Sequence, residues 1–440
     1  MITKRILLFF LLVGINVFAQ EKKWTLQECV DYAIKNNISV QQSELDLKTS
    51  DIEKMESIGG FLPSLNGNAN YSINTGASIN PVTNQFENQT FKSFSASANS
   101  SVILFNGLAN WKTLQRTKLN KIANEYRLDK MKDDIALSVA NSYLQILFNK
   151  EQLKVQKNQN QITKDNIKRT QELIDAGSVP AGDIYELQAT DATQEQQIIS
   201  TENALIISKL ALCQTLLLDN YASFDISDEA IDIPMTDVVN ESQEAILAKA
   251  REAVKDIKIA ESNVSIAKKD LSITRSGYLP TLTGFVGYNT RWSESPVLNF
   301  IDQLSLFDGT AIGLQLNVPI LNGFSTRGRV QRSKINLKRS ELQLTQAELD
   351  LERNVYQAYN DVINARKSFE AAQKTLEARK LAYDFAKERY EVGLMNSFDF
   401  SQSSITFENA QSEVLRTKYD YIFRTKILEF YFGIPLIQKQ

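Results

Sequence analysis

Between Leu108 and Ala176 the chain runs for 69 residues without a glycine or a proline. Those two residues interrupt regular structure most strongly. The apolar side chains of the interval, among them Ile146, Leu153, Ile167 and Ile174, recur at helical spacing. A single helix of that length is a rod of about 100 Å. A second uninterrupted run extends from Arg329 to Val392. Helices this long are stable only where neighbours bury their apolar stripe, so the chain builds either a solvated coiled coil or a wall of packed helices.

The 440 residues include no histidine. That removes Ser-His-Asp and Cys-His nucleophiles, His-ligated metals and most acid–base work at physiological pH. The sequence also holds no P-loop, no G-x-S-x-G, no C-x-x-C and no concentrated carboxylate site. It therefore points to no enzyme, no catalytic residue, no cofactor and no metal. With 49 basic and 52 acidic side chains the formal net charge is −3, which argues against a nucleic-acid partner, since nucleic acid selects basic faces.

Residues 1–19 read as a signal peptide: Lys4 and Arg5 precede an apolar core from Ile6 to Val17, and Val17-Phe18-Ala19 is a small-x-small cleavage pattern. The core is too short to span a bilayer, and no later segment offers 18 consecutive apolar residues. If this chain enters a membrane, it does so as β-strands. Cys29 and Cys213 are the only cysteines. Both lie in helical patterns, and the sequence leaves open whether they pair or stay buried thiols.

The chain is one unit written twice. A shift of 217 residues superposes Phe61-Leu62-Pro63-Ser64-Leu65 on Tyr278-Leu279-Pro280-Thr281-Leu282, and a shift of 216 then superposes Asn106-Gly107 on Asn322-Gly323, Gly177 on Gly393 and Asp183 on Asp399. Such a period is far above that of solenoids. The reading is a first repeat over 20–219, comprising a helix (Thr25–Ile58), a β-hairpin (65–105), a long helix (108–176) and a shorter helix (183–217). A connector, or equatorial segment, over 220–240 leads to a second repeat over 241–440, with a helix near Glu241–Ser276, hairpin 282–320, long helix 324–392 and helix 399–432.

The hairpins carry period-two alternation. From Leu65 to Asn74 the odd positions are apolar or small and the even ones are Asn or Ser. Phe94, Ala96, Ala98, Ser100, Val102 and Leu104 share one face of the partner strand, and the second repeat does the same with Leu282, Gly284, Val286 and Tyr288 and with Ile312, Leu314, Leu316, Val318 and Ile320. About ten residues per strand suffices to cross a bilayer at a tilt. A soluble, half-buried sheet would show the same alternation. Behind a signal peptide, with polar faces suited to a water-filled lumen and with Phe61, Phe105, Tyr278 and Trp292 near strand ends as interfacial aromatics, a membrane barrel is the better reading. The intervening loops, Thr75–Lys92 and about Trp292–Gly309, then face outside the cell. Four strands cannot close a barrel, since the smallest in membranes have eight, so copies must share one. A dimer, trimer or tetramer satisfies that arithmetic.

Taken together, the leader, the doubled helix–hairpin–helix–turn–helix unit and the helices of about 100 Å resemble the TolC family of outer-membrane efflux channels. The markers are Leu62-Pro63 and Leu279-Pro280 entering strands, Asn106-Gly107 and Asn322-Gly323 leaving them, and turns at Ala176-Gly177 and Val392-Gly393-Leu394, each followed by an aspartate, Asp183 or Asp399. The resemblance implies an α+β membrane protein: a homotrimer in which long antiparallel helices form a periplasmic α-barrel below a shared twelve-stranded transmembrane β-barrel. It implies a passive duct through outer-membrane lipid, docked at its periplasmic tips to an adaptor (membrane fusion) protein and an inner-membrane pump. Here the docking tips would be Gly177, Ser178 and Val179 with Gly393, Leu394 and Met395. Asp183 and Asp399 carry two readings. Asp183-x-x-Glu186 and Asp399-x-x-Gln402 look like helix capping boxes. By the resemblance they belong to a periplasmic gate, in which Asp399 matches the first of two ring aspartates while Gln402 stands at the second. A periplasmic coiled-coil adaptor or scaffold without a pore is the competing class; it explains the helices but not two alternating hairpins.

Overall fold

The computed structural model describes residues 23–79, 83–219, 221, 223–228, 237–294 and 297–434. The expected leader lies outside them, as do residues 220, 222 and 229–236 of the expected connector. In chain order the elements are β1 (Lys23–Trp24), α1 (Leu26–Asn36), α2 (Ile38–Gly59), β2 (Ser64–Ile79), β3 (Phe86–Asn106), α3 (Ala109–Asp175), α4 (Asp183–Leu216) and β4 (Asp225–Ile226). A 3-10 turn at Asp237–Asn240 leads to α5 (Gln243–Ala253), α6 (Lys255–Ser276), β5 (Thr281–Ser293), α7 (Phe300–Leu306), β6 (Gly309–Asn317), α8 (Ser325–Glu391) and α9 (Ser397–Phe432). Both α3 and α8 have 67 residues. They are indeed rods of about 100 Å.

The helix expected from Thr25 to Ile58 is broken. Thr25 caps α1 with a reciprocal box to Glu28, and the backbone turns extended at Asn37 (φ −62°, ψ 134°) before α2 begins. The side chain of Asn37 holds the break, accepting from the Ser39 amide at 2.9 Å and donating to the Thr215 carbonyl at 3.0 Å. The second repeat breaks in the same way at Val254 (φ −73°, ψ 125°). Neither position carries glycine or proline, so periodicity alone ran straight through both.

One compact unit contains Ser43–Leu128 and Lys255–Ala347. Its centre is a four-stranded antiparallel sheet in the order β2-β3-β5-β6. The strands of the first hairpin are longer than the alternation suggests, 16 and 21 residues. Most of the loop expected at Thr75–Lys92 is in fact paired strand, with Thr75 opposite Thr90 and Ile79 opposite Phe86. Apolar and polar residues no longer alternate regularly there, so the sequence signal fades while the backbone ladder continues. The loop expected after Trp292 contains α7, and β6 ends at Asn317 rather than near Ile320. A bulge shifts the β3–β5 register between Ile103 and Phe105, placing Phe105 rather than Leu104 opposite Leu282.

The other unit contains the described residues up to Gln42, Asp129–Val254 and the residues from Glu348 onward. Its main core gathers Cys29, Val30 and Ala33 of α1, Val139, Tyr143, Ile146 and Leu147 of α3, Leu212, Cys213 and Leu216 of α4, and Ile422 of α9. The two cysteines are buried thiols that form no disulfide. Burial pushes the Cys213 thiol up to about 11, so it stays protonated and unreactive. Against this core β1 and β4 form a two-residue parallel ribbon, Lys23 opposite Asp225 and Trp24 opposite Ile226. Lys150 and Lys209 each reach Asp225 at 2.8 Å, and Lys150 also reaches Asp228 at 2.7 Å. Burial alone would raise the Asp225 carboxyl, but the two ammonium groups outweigh it and hold that carboxyl below its usual range.

Candidate functional site

The cross-strand register sorts the sheet into two chemically distinct faces. On one, Leu65, Ser100, Val286 and Ile312 form a row across all four strands, and Tyr71, Phe94 and Trp292 form another across three. On the other, Asn68, Ser97 and Asn289 form one row and Asn70, Ser95 and Arg291 the next. The apolar face lies open: Leu65, Ile312, Leu314 and Leu316 are 64–78% exposed. That is a large apolar patch of the kind that marks contact with lipid or protein. Among the described residues β2 and β6 each pair with one strand only, leaving two bare edges.

The segment between β5 and β6 is tied to the sheet by α7. Gln303, fully buried, accepts from the Ser293 amide at 3.0 Å and donates to the Ser293 carbonyl at 2.8 Å. Phe300 packs on Phe94 and Trp292 at centroid distances of 5.5 and 5.4 Å. The end of the segment reaches the polar face. There Leu306, Phe307 and Asp308 join Asn68, Asn70, Ser95, Ser97, Asn289 and Arg291 around a cavity of about 530 Å³.

Two Asn-Gly turns link strands to the long helices. Gly107 and Leu108 both have positive φ (66° and 63°), as do Gly323 and Phe324 (57° and 62°). A Cβ on Gly107 would lie 2.9 Å from Leu279 and 3.0 Å from the Ser276 carbonyl, whereas one on Gly323 would meet nothing. Ser276 Oγ donates to the Gly107 carbonyl at 2.8 Å, and Lys112 Nζ bonds the same Ser276 hydroxyl at 2.8 Å.

The turns after α3 and α8 share one geometry. Gly177 and Gly393 take φ of 73° and 77°. The amides of Ser178 and Leu394 reach back to the Leu173 and Arg389 carbonyls at 2.8 Å, closing both helices with Schellman motifs. Gly177, Ser178, Gly393 and Leu394 are exposed, while Val179 and Met395 are half-buried, the latter against an aromatic cluster. That cluster centres on Phe400, 1% exposed, stacked 4.6 Å from Tyr390. Tyr383 and Leu187 complete it, and Tyr390 Oη bonds Thr170 Oγ1 at 2.6 Å.

The capping reading of the two aspartates is corrected. Gly182, not Asp183, is the N-cap of α4 and makes no side-chain cap; Asp183 is already helical. In the other turn Asn396 caps α9 by accepting from the Asp399 amide at 2.8 Å, and its own amide group donates to Asp399 Oδ2 at 2.9 Å. α4 therefore starts at Asp183 itself, and α9 starts two residues before Asp399. Asp399 and Gln402 lie exposed in the first turn and a half of α9, while Asp183 is half-buried.

Along the same helices the packing is polar. Gln152 and Gln159 of α3 donate to Ser412 and Ser404 of α9 at 2.7 and 2.5 Å, and Thr190 of α4 bonds Ser401 at 2.7 Å. Gln194 donates to Glu408 at 2.9 Å, but its own buried Oε1 has no partner. Burial pushes the Glu408 carboxyl above its usual range, only partly offset by that bond. The aromatic cluster and this seam were not anticipated from sequence. Arg291 could have been, as the one charge in its stretch of alternating strand.

A sheet with an open apolar face and two bare edges belongs to a class of protein that buries such a face against lipid or protein. The model of the outer membrane efflux protein family matches residues 29–216 and again 246–432, and the chain belongs to that family. Over 276 residues it is 22% identical to the outer membrane protein TolC of Vibrio cholerae, a match spanning 62% of this chain and 60% of that protein. Among solved structures, the outer membrane protein VceC of Vibrio cholerae superposes with a TM-score of 0.79 at 14% identity, over 93% of this chain and 96% of that one. The CmeC outer membrane channel of Campylobacter jejuni gives 0.80 at 18% identity, over 93% and 85%. These likenesses establish a shared fold, and family membership makes this an outer-membrane protein.

Proposed function

We propose that three copies of this chain form one outer-membrane channel, the passive exit duct of a tripartite efflux or type I secretion system. The observation that carries the reading is the four-stranded sheet, with one apolar face bare and two edges unpaired. Each unpaired backbone group in hydrocarbon costs several kcal/mol. Closure removes the cost, and a barrel of only eight strands would be filled by side chains. Three copies give twelve strands, which is the number the family resemblance implies, with the Asn- and Ser-rich face lining the lumen. Unpartnered seams on the helices support assembly. Ile38, Leu45 and Ile52 on α2, and Ile335, Leu342 and Leu349 on α8, recur every seven residues with more than half their surface exposed. That spacing is a coiled-coil seam. The double match of the family model supports a duplicated unit in which each repeat supplies one hairpin. The helices then continue the pore as a periplasmic tunnel. A scaffold without a pore leaves the bare sheet unexplained.

In this reading the turns at Gly177, Ser178 and Val179 and at Gly393, Leu394 and Met395 are the surfaces offered to a periplasmic adaptor protein and, through it, an inner-membrane pump. Asp399, beside Gln402, supplies one carboxylate per copy to a constriction; Asp183, half-buried near Tyr390, is the weaker contributor. The channel reading is tested by fractionation, mass measurement in detergent and conductance in planar bilayers. A freely soluble monomer that forms no pores would end it. For the gate, Asp399→Asn should weaken block by periplasmic divalent cations, and unchanged block would dismiss the ring.

A further inference from the structure

Where the strands lie side by side, over residues 64–72, 93–106, 281–293 and 309–317, Arg291 is the one formally charged side chain on either face of the sheet. The register puts it on the polar face, opposite Ser95 and one row from Asn289. Its guanidinium stands 5.5 Å over the ring of Phe307. Together with Asn68, Asn70 and Asn289 it lines the cavity of about 530 Å³ to which Phe307 and Asp308 also contribute. Asp308 shares that cavity without forming an ion pair with Arg291, and the nearby Glu294 is already engaged by Lys92 at 3.3 Å. An arginine keeps its charge at every physiological pH. Carboxamides of asparagine offer donors to an anion beside it, and a charge on a concave, low-dielectric wall concentrates counter-ions.

Building on the channel reading, we infer that Arg291 makes the outer mouth of the pore an anion site, taking small carboxylate- or phosphate-bearing solutes in transit. In the trimer three such sites ring one level of a lumen wall otherwise uncharged over those rows. Arg291 supplies the charge, and Asn68, Asn70 and Asn289 supply hydrogen bonds that an anion accepts. Asp308 opposes the site and limits how long an anion stays.

The test is ion selectivity of the assembled wild-type trimer in planar bilayers. Reversal potentials across a potassium chloride gradient, and current reduction by benzoate and by inorganic phosphate added at the external side, are the readouts. Arg291→Gln should lower the chloride-to-potassium permeability ratio by roughly threefold or more and abolish the reduction by both anions. Asp308→Asn should shift the ratio the other way, and it carries the test alone should Arg291→Gln assemble poorly. In Arg291→Cys, a water-soluble thiol reagent bearing an ammonium group should restore the wild-type ratio. A conducting Arg291→Gln trimer with unchanged reversal potential and unchanged anion effect overturns this inference and leaves the channel reading standing. A wild-type protein that never conducts overturns both.

Discussion

Gly107 and Gly323 occupy the same left-handed conformation, yet their surroundings differ, and the difference sets the cost of a side chain. Alanine at either position takes on about 1 kcal/mol of backbone strain. Gly107→Ala must also displace Leu279 and the Ser276 carbonyl. Thermal melts in detergent should show Gly323→Ala slightly destabilised and Gly107→Ala destabilised by several times as much. Glu408 offers the opposite case, a residue whose replacement improves the fold. Its folded-state carboxyl titrates above the unfolded value. As pH rises through the window between the two, the unfolded chain loses its proton first and stability falls, the loss being complete above the folded value. Glu408→Gln removes that penalty and gives the partnerless Oε1 of Gln194 a donor, so the variant should gain about 1 kcal/mol near neutrality. The gain should shrink below the ordinary glutamate range; a pH series of melts checks both.

At the scale of elements, the turn between α8 and α9 depends on one aromatic side chain. Phe400 fills the space between Tyr390, Tyr383 and Leu187, and Phe400→Ala should cost about 3–5 kcal/mol locally. Hydrogen exchange should report the loss as faster opening of residues 383–405, with the sheet unaffected. Elements were unevenly legible in the sequence. The long rods could be read because no breaker interrupts them, and the strands because Asn and Ser alternate with apolar residues. The breaks at Asn37 and Val254 could not, since each is a turn to extended backbone geometry that ordinary residues adopt. The strands' extension past Thr75 was hidden because polar and apolar residues stop alternating regularly there. At the tips the glycines announced the turns, but Asp183 and Asp399 suggested caps that Gly182 and Asn396 occupy instead. Local pattern cannot say which of several neighbouring polar residues starts a helix.

For the whole molecule, the exposed heptad seams give the proposed assembly a direct test. Leu342 touches little within its own chain, being 59% exposed. Leu342→Asp should therefore leave the helix content of a single chain intact while lowering trimer yield on semi-native gels, whereas a substitution to methionine should be tolerated. An equal trimer yield in both variants would remove α8 from the interface. The first hairpin has a further consequence. Beyond Ser72 and Lys92, the strand residues up to Ile79 and down to Phe86 form ladder pairs only with each other, so in the proposed channel this two-stranded arm extends past the rows that β5 joins. If the channel reading holds, an epitope tag spliced between its strands should be displayed on living cells without entering the wall of the pore.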